Sequence, residues 1–513
     1  MGAVTSGEMF KINRRDLLTW VGLGSVASSL PIAIAKRVAS QPNAASDSSP
    51  TASQKLTTTY QFPENFSWGV ATSAYQIEGA VSEGGRKPSV WDTFSAIPGR
   101  VENGDTGAVA CDHYHRYKTD VELMAKLGIK HYRFSIAWPR IIPDGRGKVN
   151  EEGVDFYKRL VDCLRDQGIT PHATLFHWDS PQALEDLYGS WRSREMASDF
   201  ADYATAVVSR LGDRITHWMT INEIPSFTHM AYAVDKQPPK APSTRVSSLK
   251  EVWQTCHNAL LAHGLGCQAI RAASPGSCSV ALVADIGVTV PLTESDVDVA
   301  AAQQAFHTSW FNGGIIFPVL TGAYSPVLLE KLGADAPAIQ SGDLKIIHQP
   351  LDSLGINNYT GNYIRAADNK QGFEFLDLPK AYPRMYIPWI HILPESMYWG
   401  IRHVSETLGR KNLPIFITEN GCAAQDEVND KGEVIDTDRV MYLRQYLKAA
   451  HRAISEGYPL KGYFLWSFMD NFEWESGYSR RFGITYVDYK TQRRIPKASF
   501  KWYAECIQQN RVV

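Results

Sequence analysis

Two stretches of this 513-residue chain place a glutamate directly after an apolar run. In one, Leu413-Pro414-Ile415-Phe416-Ile417 leads into Thr418-Glu419-Asn420-Gly421. In the other, His217-Trp218-Met219-Thr220-Ile221 leads into Asn222-Glu223. Short apolar runs of this kind read as buried strands. A carboxylate where such a strand ends lies at the mouth of a scaffold, outside its packed centre. A lone glutamate there more often serves the surface or an ion pair. Two of them delivered to one rim can share acid/base and nucleophilic work on a single bond, the arrangement that glycoside hydrolysis requires.

A scaffold able to present both is legible from residue 60 onward. Eight apolar strand-like runs occur at 66–72, 130–137, 171–177, 216–222, 278–284, 351–358, 413–419 and 461–467. Between them lie stretches with helical spacing at 155–167, 199–211 and 439–456, the first repeating apolar residues at Phe156, Leu160 and Leu164. Strands alternating with helices imply a parallel sheet. Eight such units over about 450 residues fit the α/β class as one closed (β/α)8 TIM barrel with long loop insertions. An open doubly wound sheet is the alternative, but no Gly-rich phosphate loop follows the first strand. Active-site groups of a barrel sit where its strands end. Several runs end in polar or aromatic residues: His177-Trp178, Asn222-Glu223, Asn357 with Tyr359, Glu419-Asn420, and Trp466.

The chain is 44% apolar and 11% aromatic, enough for a large core. Most of its 14 tryptophans are expected to fill that core, and some to stack on flat apolar faces of a ligand, sugars included. The 52 basic and 54 acidic residues are well mixed, which excludes a nucleic-acid footprint built on a basic face. The seven cysteines are scattered and contain no Cys-x-x-Cys pair, so neither a disulfide framework nor a zinc site is expected.

The N-terminus reads as an address. Asn13-Arg14-Arg15-Asp16 precedes an apolar, Gly/Ala/Ser-rich stretch that ends in Ala33-Ile34-Ala35. Residues 1–35 resemble a bacterial twin-arginine export signal. An uncleaved anchor and an ordinary secretory signal are the alternatives. Twin-arginine export carries folded proteins, which suits cysteines that need no oxidative pairing. The resulting location is periplasmic or secreted, with no stable membrane span once the signal is removed. Residues 36–59 are Ser-, Ala-, Thr-, Gln- and Pro-containing and read as a flexible tether. The folded domain is expected over 60–513.

With the strand ends in view, the chain resembles family 1 glycoside hydrolases, the β-glucosidase family, from about Phe62 to Tyr503. The resemblance rests on many motifs in order. They include Phe66-Ser67-Trp68-Gly69-Val70-Ala71-Thr72-Ser73-Ala74-Tyr75-Gln76, Tyr132-Arg133-Phe134-Ser135, Phe176-His177-Trp178-Asp179 and Thr220-Ile221-Asn222-Glu223. Leu354-Gly355-Ile356-Asn357-Asn358-Tyr359, Ile417-Thr418-Glu419-Asn420-Gly421, Trp466 to Trp474, and Arg481-Phe482-Gly483 complete them.

That resemblance implies roles residue by residue. Glu419 would be the nucleophile and Glu223 the general acid, then base, of a retaining pair about 5–5.5 Å apart. Arg133 would keep Glu419 ionised, and Tyr359 would hydrogen-bond it. Asn222 would contact the sugar 2-hydroxyl, with Asn357 as further support. Gln76, His177, Glu473 and Trp474 would hold the remaining hydroxyls, Trp466 would floor the ring, and Phe482 would lie near its 6-position. Trp389 aligns with an aglycone-side tryptophan. A carboxylate at 473 would repel a 6-phosphate, and Glu rather than Gln at 223 argues against a thioglucosidase.

The implied activity is that of a retaining exo-β-glycosidase, foremost a β-glucosidase. Its partner would be a small β-glycoside or short oligosaccharide, and no metal or organic cofactor is implied. An exported carbohydrate-binding protein with weak or lost catalysis, and a transglycosidase, are the alternatives. Four departures stand out, one of them Ser180 where Leu is common. The family's Asn-Glu-Pro is Asn222-Glu223-Ile224-Pro225 here, so the turn behind the acid/base is expected to differ. Asn358 stands where Tyr is usual. The loop at 235–243 lacks the family's usual glycine-containing pattern.

Overall fold

The eight apolar runs are eight parallel strands: Ser67–Ala71, His131–Ser135, Thr170–Phe176, His217–Asn222, Ser279–Asp285, Ser353–Asn357, Ile415–Asn420 and Leu460–Trp466. They are seen in a computed structural model that describes residues 59–232, 247–409 and 412–513. The proposed signal and nearly all of the tether lie outside those residues, as does the loop at 235–243. Each strand pairs with its sequence neighbour in the set, and the first pairs with the last from Ser67↔Gly462 to Ala71↔Trp466. The sheet therefore closes into a barrel, which leaves it no free edge.

Parallel neighbours need long crossovers, and helices supply them. The helices expected at 155–167, 199–211 and 439–456 are Glu151–Asp166, Glu195–Leu211 and Thr437–Ser455. Each turns an apolar stripe toward the barrel: Phe156, Leu160 and Leu164 on the first are all buried. The longest helix, Leu249–Ala273, begins at a capping box. Ser248 Oγ accepts from the Glu251 amide at 3.2 Å while Glu251 Oε2 accepts from the Ser248 amide at 2.8 Å.

Insertions carry additional strands. Thr289–Pro291, Asn362–Ala366 and Phe373–Phe375 form a small sheet, and Thr485–Asp488 pairs antiparallel with Arg493–Pro496. At the N-terminal ends of the barrel strands three histidines meet. His131 and His172 share a 3.0 Å hydrogen bond, and His172 stacks on His217 with ring centroids 4.4 Å apart. The seven cysteines are free thiols, and five of them are buried. Among the described residues no helix is long and apolar enough to cross a membrane.

Candidate active site

The C-terminal ends of the strands gather the residues that the sequence singled out. Glu223 follows the fourth strand directly, and Glu419 is the penultimate residue of the seventh. Both are at least nine-tenths buried. Gly421 shows why the second motif ends in glycine: a Cβ there would stand 1.5 Å from the Trp466 carbonyl oxygen of the adjacent strand. The close approach keeps the segment beyond Glu419 against the eighth strand.

Arg133 lies in the middle of the second strand, not at its end, and its long side chain spans the difference. Nη1 donates to Glu419 Oε1 at 2.7 Å and to the Thr418 carbonyl at 3.2 Å. Nη2 donates to Asn222 Oδ1 at 2.7 Å, and Nε to Thr174 Oγ1 at 3.2 Å. Tyr359 OH donates to the other oxygen of Glu419 at 2.9 Å. Glu223 has different company. Its Oε1 accepts from Asn357 Nδ2 at 2.8 Å, and its Oε2 accepts from Ser226 Oγ at 2.8 Å.

These surroundings separate the two carboxyls. Burial pushes Glu223 up to about 7, and the Glu419 charge adds to it; the hydrogen bonds from Asn357 and Ser226 work the other way. Burial also raises Glu419, but there the Arg133 guanidinium opposes it first, followed by the hydrogen bond from Tyr359. Burial and the nearby Glu419 and Glu223 charges raise the Tyr359 phenol well above its ordinary value, so it remains a donor. The arrangement supplies one carboxyl inclined to hold a proton and one held by a cation, the pair that acid-assisted displacement needs.

The residues expected from the sequence to contact a sugar cluster around this pair. Gln76, in a turn of helix after the first strand, donates from Nε2 to Asn471 Oδ1 at 3.0 Å, to the Phe472 carbonyl at 2.9 Å and to Glu473 Oε2 at 3.4 Å. Burial and the Glu419 and Glu223 charges push Glu473, partly buried, up to about 8. The His177 ring lies nearly parallel to Trp466 and Trp474, with centroids 5.8 and 6.0 Å away. Trp474 is wedged between Trp91 and Trp178, each 4.5 Å away between centroids. Trp178 in turn donates from Nε1 to the Asn222 carbonyl at 3.0 Å. Phe482 meets Tyr359 edge-on at 6.0 Å.

His177 can be assigned a tautomer. Arg133 fixes which end of Asn222 is oxygen, so the Asn222 amide nitrogen is the atom 3.2 Å from His177 Nε2. Burial holds the ring well below the ordinary histidine value, and it is neutral. Nε2 therefore accepts and Nδ1 carries the proton. That Nδ1–H is buried without a partner among the described residues and can serve a ligand hydroxyl.

Trp389 is the one predicted site residue that the structure leaves apart. It is 65% exposed, and no ring contact joins it to the cluster among the described residues. Its loop is pinned to the rim because the Tyr386 amide donates to the Ala423 carbonyl at 3.0 Å.

Three groups escaped the sequence reading. Asp285 ends the fifth strand in register with Asn357, and burial plus the Glu223 charge hold its carboxyl well above the usual range. The expected strand stopped one residue short of it. Ser226 carried no sequence signal at all. A buried ionic network also joins the segments after the seventh and eighth strands. Lys497 Nζ bridges Asp470 Oδ1 at 2.6 Å and Asp426 Oδ2 at 2.5 Å, Arg481 binds Asp470 at 2.6 Å, and Arg439 binds Asp426 at 2.8 Å and Asp436. Asp470 lies between Trp466 and Glu473, so the network anchors the segment that carries them.

Comparison with known proteins bears on the family and the fold. Residues 58–512 match the model of glycosyl hydrolase family 1. Beta-glucosidase A of Thermotoga maritima is 42% identical over 458 residues, covering 88% of this chain and 98% of that protein. A bifunctional beta-D-glucosidase/beta-D-fucosidase of Bifidobacterium breve is 43% identical over 477 residues, covering 87% and 98%. A solved structure of the Thermotoga maritima beta-glucosidase with deoxynojirimycin superimposes with a TM-score of 0.80 at 40% identity, covering 88% of this chain and 99% of the other.

Proposed function

This chain belongs to glycosyl hydrolase family 1, and on that premise we propose how its rim residues divide the reaction. The enzyme is a retaining, exo-acting β-glucosidase that hydrolyses terminal non-reducing β-D-glucosyl residues by double displacement. In the first step the Glu419 carboxylate attacks the anomeric carbon. The bond to the leaving oxygen breaks, and that oxygen takes the proton from Glu223. A glycosyl ester on Glu419 results. In the second step the Glu223 carboxylate takes a proton from water, the water oxygen bonds to the anomeric carbon, and the ester opens. Two carboxyls and water complete the balance.

The observation that carries this assignment is the placement of Arg133, 2.7 Å from Glu419, while Glu223 is held by an amide and a hydroxyl. Gln76, His177, Asn222, Glu473 and Trp474 surround the sugar hydroxyls, and Trp466 lies under the ring. Trp389, exposed on its pinned loop, serves the leaving-group side. Proton NMR of the first turnover tests the reaction. β-Glucose appears first, and α-glucose only through mutarotation; α-glucose as the first product would overturn it.

We further propose that residues 1–35 direct the folded enzyme out of the cytoplasm by the twin-arginine route. The paired Arg14-Arg15 before an apolar stretch supports this, as do seven thiols that need no oxidative pairing. Replacing both arginines by lysine should retain activity in the cytoplasm. Undiminished export of that variant would refute the route.

A further inference from the structure

The turn behind the acid/base, flagged by the sequence as unusual, brings a residue back onto it. Glu223 adopts a left-handed backbone at φ 46° and ψ 73°, and a single helical turn, Ile224–Phe227, follows. The Ser226 amide donates to the Glu223 carbonyl at 3.0 Å, and its hydroxyl lies 2.8 Å from Glu223 Oε2.

The hydrogen-bond donors determine which oxygen of Glu223 can hold a proton. A guanidinium has donors only, so the Asn222 atom 2.7 Å from Arg133 Nη2 is oxygen. The Asn357 atom 3.0 Å from that oxygen is then the amide nitrogen. The same nitrogen donates to Glu223 Oε1 at 2.8 Å. Oε1 is thus facing an obligate donor and stays unprotonated. The acidic proton of Glu223 stands on Oε2, the oxygen that faces Ser226.

We propose that Ser226 is a positioning residue for the acid/base. Its hydroxyl accepts from Oε2–H while Glu223 waits to protonate the leaving group, and it turns to donate to Oε2 once that proton has gone. A hydroxyl can do both, whereas an amide or a cation can do only one. It holds one carboxyl geometry through both halves of the reaction. The inference rests on the reading of Glu223 as acid/base. Ser226 is not alone in acting on Glu223. Glu419 on the seventh strand, Arg133 on the second, Asp285 ending the fifth, Tyr359 after the sixth and Glu473 after the eighth also face it electrostatically.

The test compares Ser226→Ala and Ser226→Thr with the parent enzyme on an alkyl β-glucoside and on 2,4-dinitrophenyl β-glucoside, whose leaving group needs no proton. Without the hydroxyl both forms of Glu223 lose a hydrogen bond, but the charge-assisted one to the ionised form is the stronger, so the basic limb of kcat/KM moves to higher pH. The kcat/KM on the alkyl glucoside falls by about three- to tenfold, the worth of one hydrogen bond, and that on the activated substrate falls less. Ser226→Thr restores both. A Ser226→Ala enzyme with the parent's pH limb and the parent's ratio between substrates overturns the proposal, as does a Thr variant that behaves like Ala. Thermal melting verifies folding, and Ser226→Gly replaces Ala if that variant does not fold. Glu223→Gln serves as control. If it too lacks leaving-group dependence, the acid/base reading itself has failed; if it shows it, the failure belongs to Ser226.

Discussion

Arg133 Nη1 donates to Glu419 Oε1 across 2.7 Å, with neither side chain more than 6% exposed. Replacing Arg133 by Met leaves a buried carboxyl without its cation, at a cost of about 3–5 kcal/mol in urea unfolding. It also raises Glu419 further. Since Glu419 must be ionised to attack, the acid limb of kcat/KM moves to higher pH. An Arg133→Met enzyme with unchanged acid limb and stability contradicts the role given to this pair.

The two glutamates should respond differently to an added anion. Glu419→Ala removes the nucleophile and opens the face below the anomeric carbon, so azide attacks there and gives the α-glucosyl azide. Glu223→Ala leaves the glycosyl ester able to form from an activated glucoside, and azide then attacks from the opposite face to give the β-azide. Product stereochemistry by NMR distinguishes them. Exchange of the two outcomes would exchange the roles.

Glu473 is held toward the sugar site by Gln76 Nε2 at 3.4 Å. In a Glu473→Ser variant, kcat/KM on aryl β-glucoside should fall about ten- to a hundredfold, the worth of one or two hydrogen bonds. Discrimination against 6-phosphoglucosides should weaken most above about pH 8, where the Glu473 carboxyl is ionised and repels the phosphate. Parallel kinetics on both substrates measure the ratio.

Stability should peak slightly below neutrality. Burial holds Asp179 at about 7, with both oxygens unpartnered among the described residues. Its folded value is raised, so its contribution is complete below the ordinary carboxylate value. It is then lost at about 1.4 kcal/mol per pH unit as pH rises toward 7. Glu223 and Glu473 act in the same sense. Burial lowers His131 to about 4 and also depresses His172 and His217. Their contribution is complete above the ordinary histidine value and lost as pH falls toward 4. In urea midpoints measured against pH, Asp179→Asn should flatten the decline toward pH 7, and His172→Phe the decline on the acid side. Unchanged profiles in both would refute this balance.

Local patterns made much of the barrel readable. Each barrel strand is a short apolar run, and a strand buried on both sides has no other way to be written. The helix Leu249–Ala273 was not readable in this way, because every residue from Thr255 to Gly264 is buried, so its circumference leaves no apolar stripe against a polar face. The strand Asn362–Ala366 was hidden for the opposite reason: it lies in an insertion, and only Ile364 of its residues is buried, so it carries neither an apolar run nor an alternation.

For the site, the strand-end pattern brought out the two glutamates, and the family resemblance supplied the groups expected around a sugar, several of which, such as Gln76 and Glu473, lie beyond the strand ends. Local spacing could not say which carboxylate meets a cation, since Arg133 and Glu419 are 286 residues apart and meet only when the barrel closes; only the family resemblance implied that pairing. Neither found Ser226, whose hydroxyl reaches Glu223 only because the backbone turns left-handed at φ 46°. Composition and local spacing write the strands and their ends. The resemblance implied which carboxyl is acid and which nucleophile, but the physical cause of that division, the donors that surround each carboxyl, exists only in the tertiary structure.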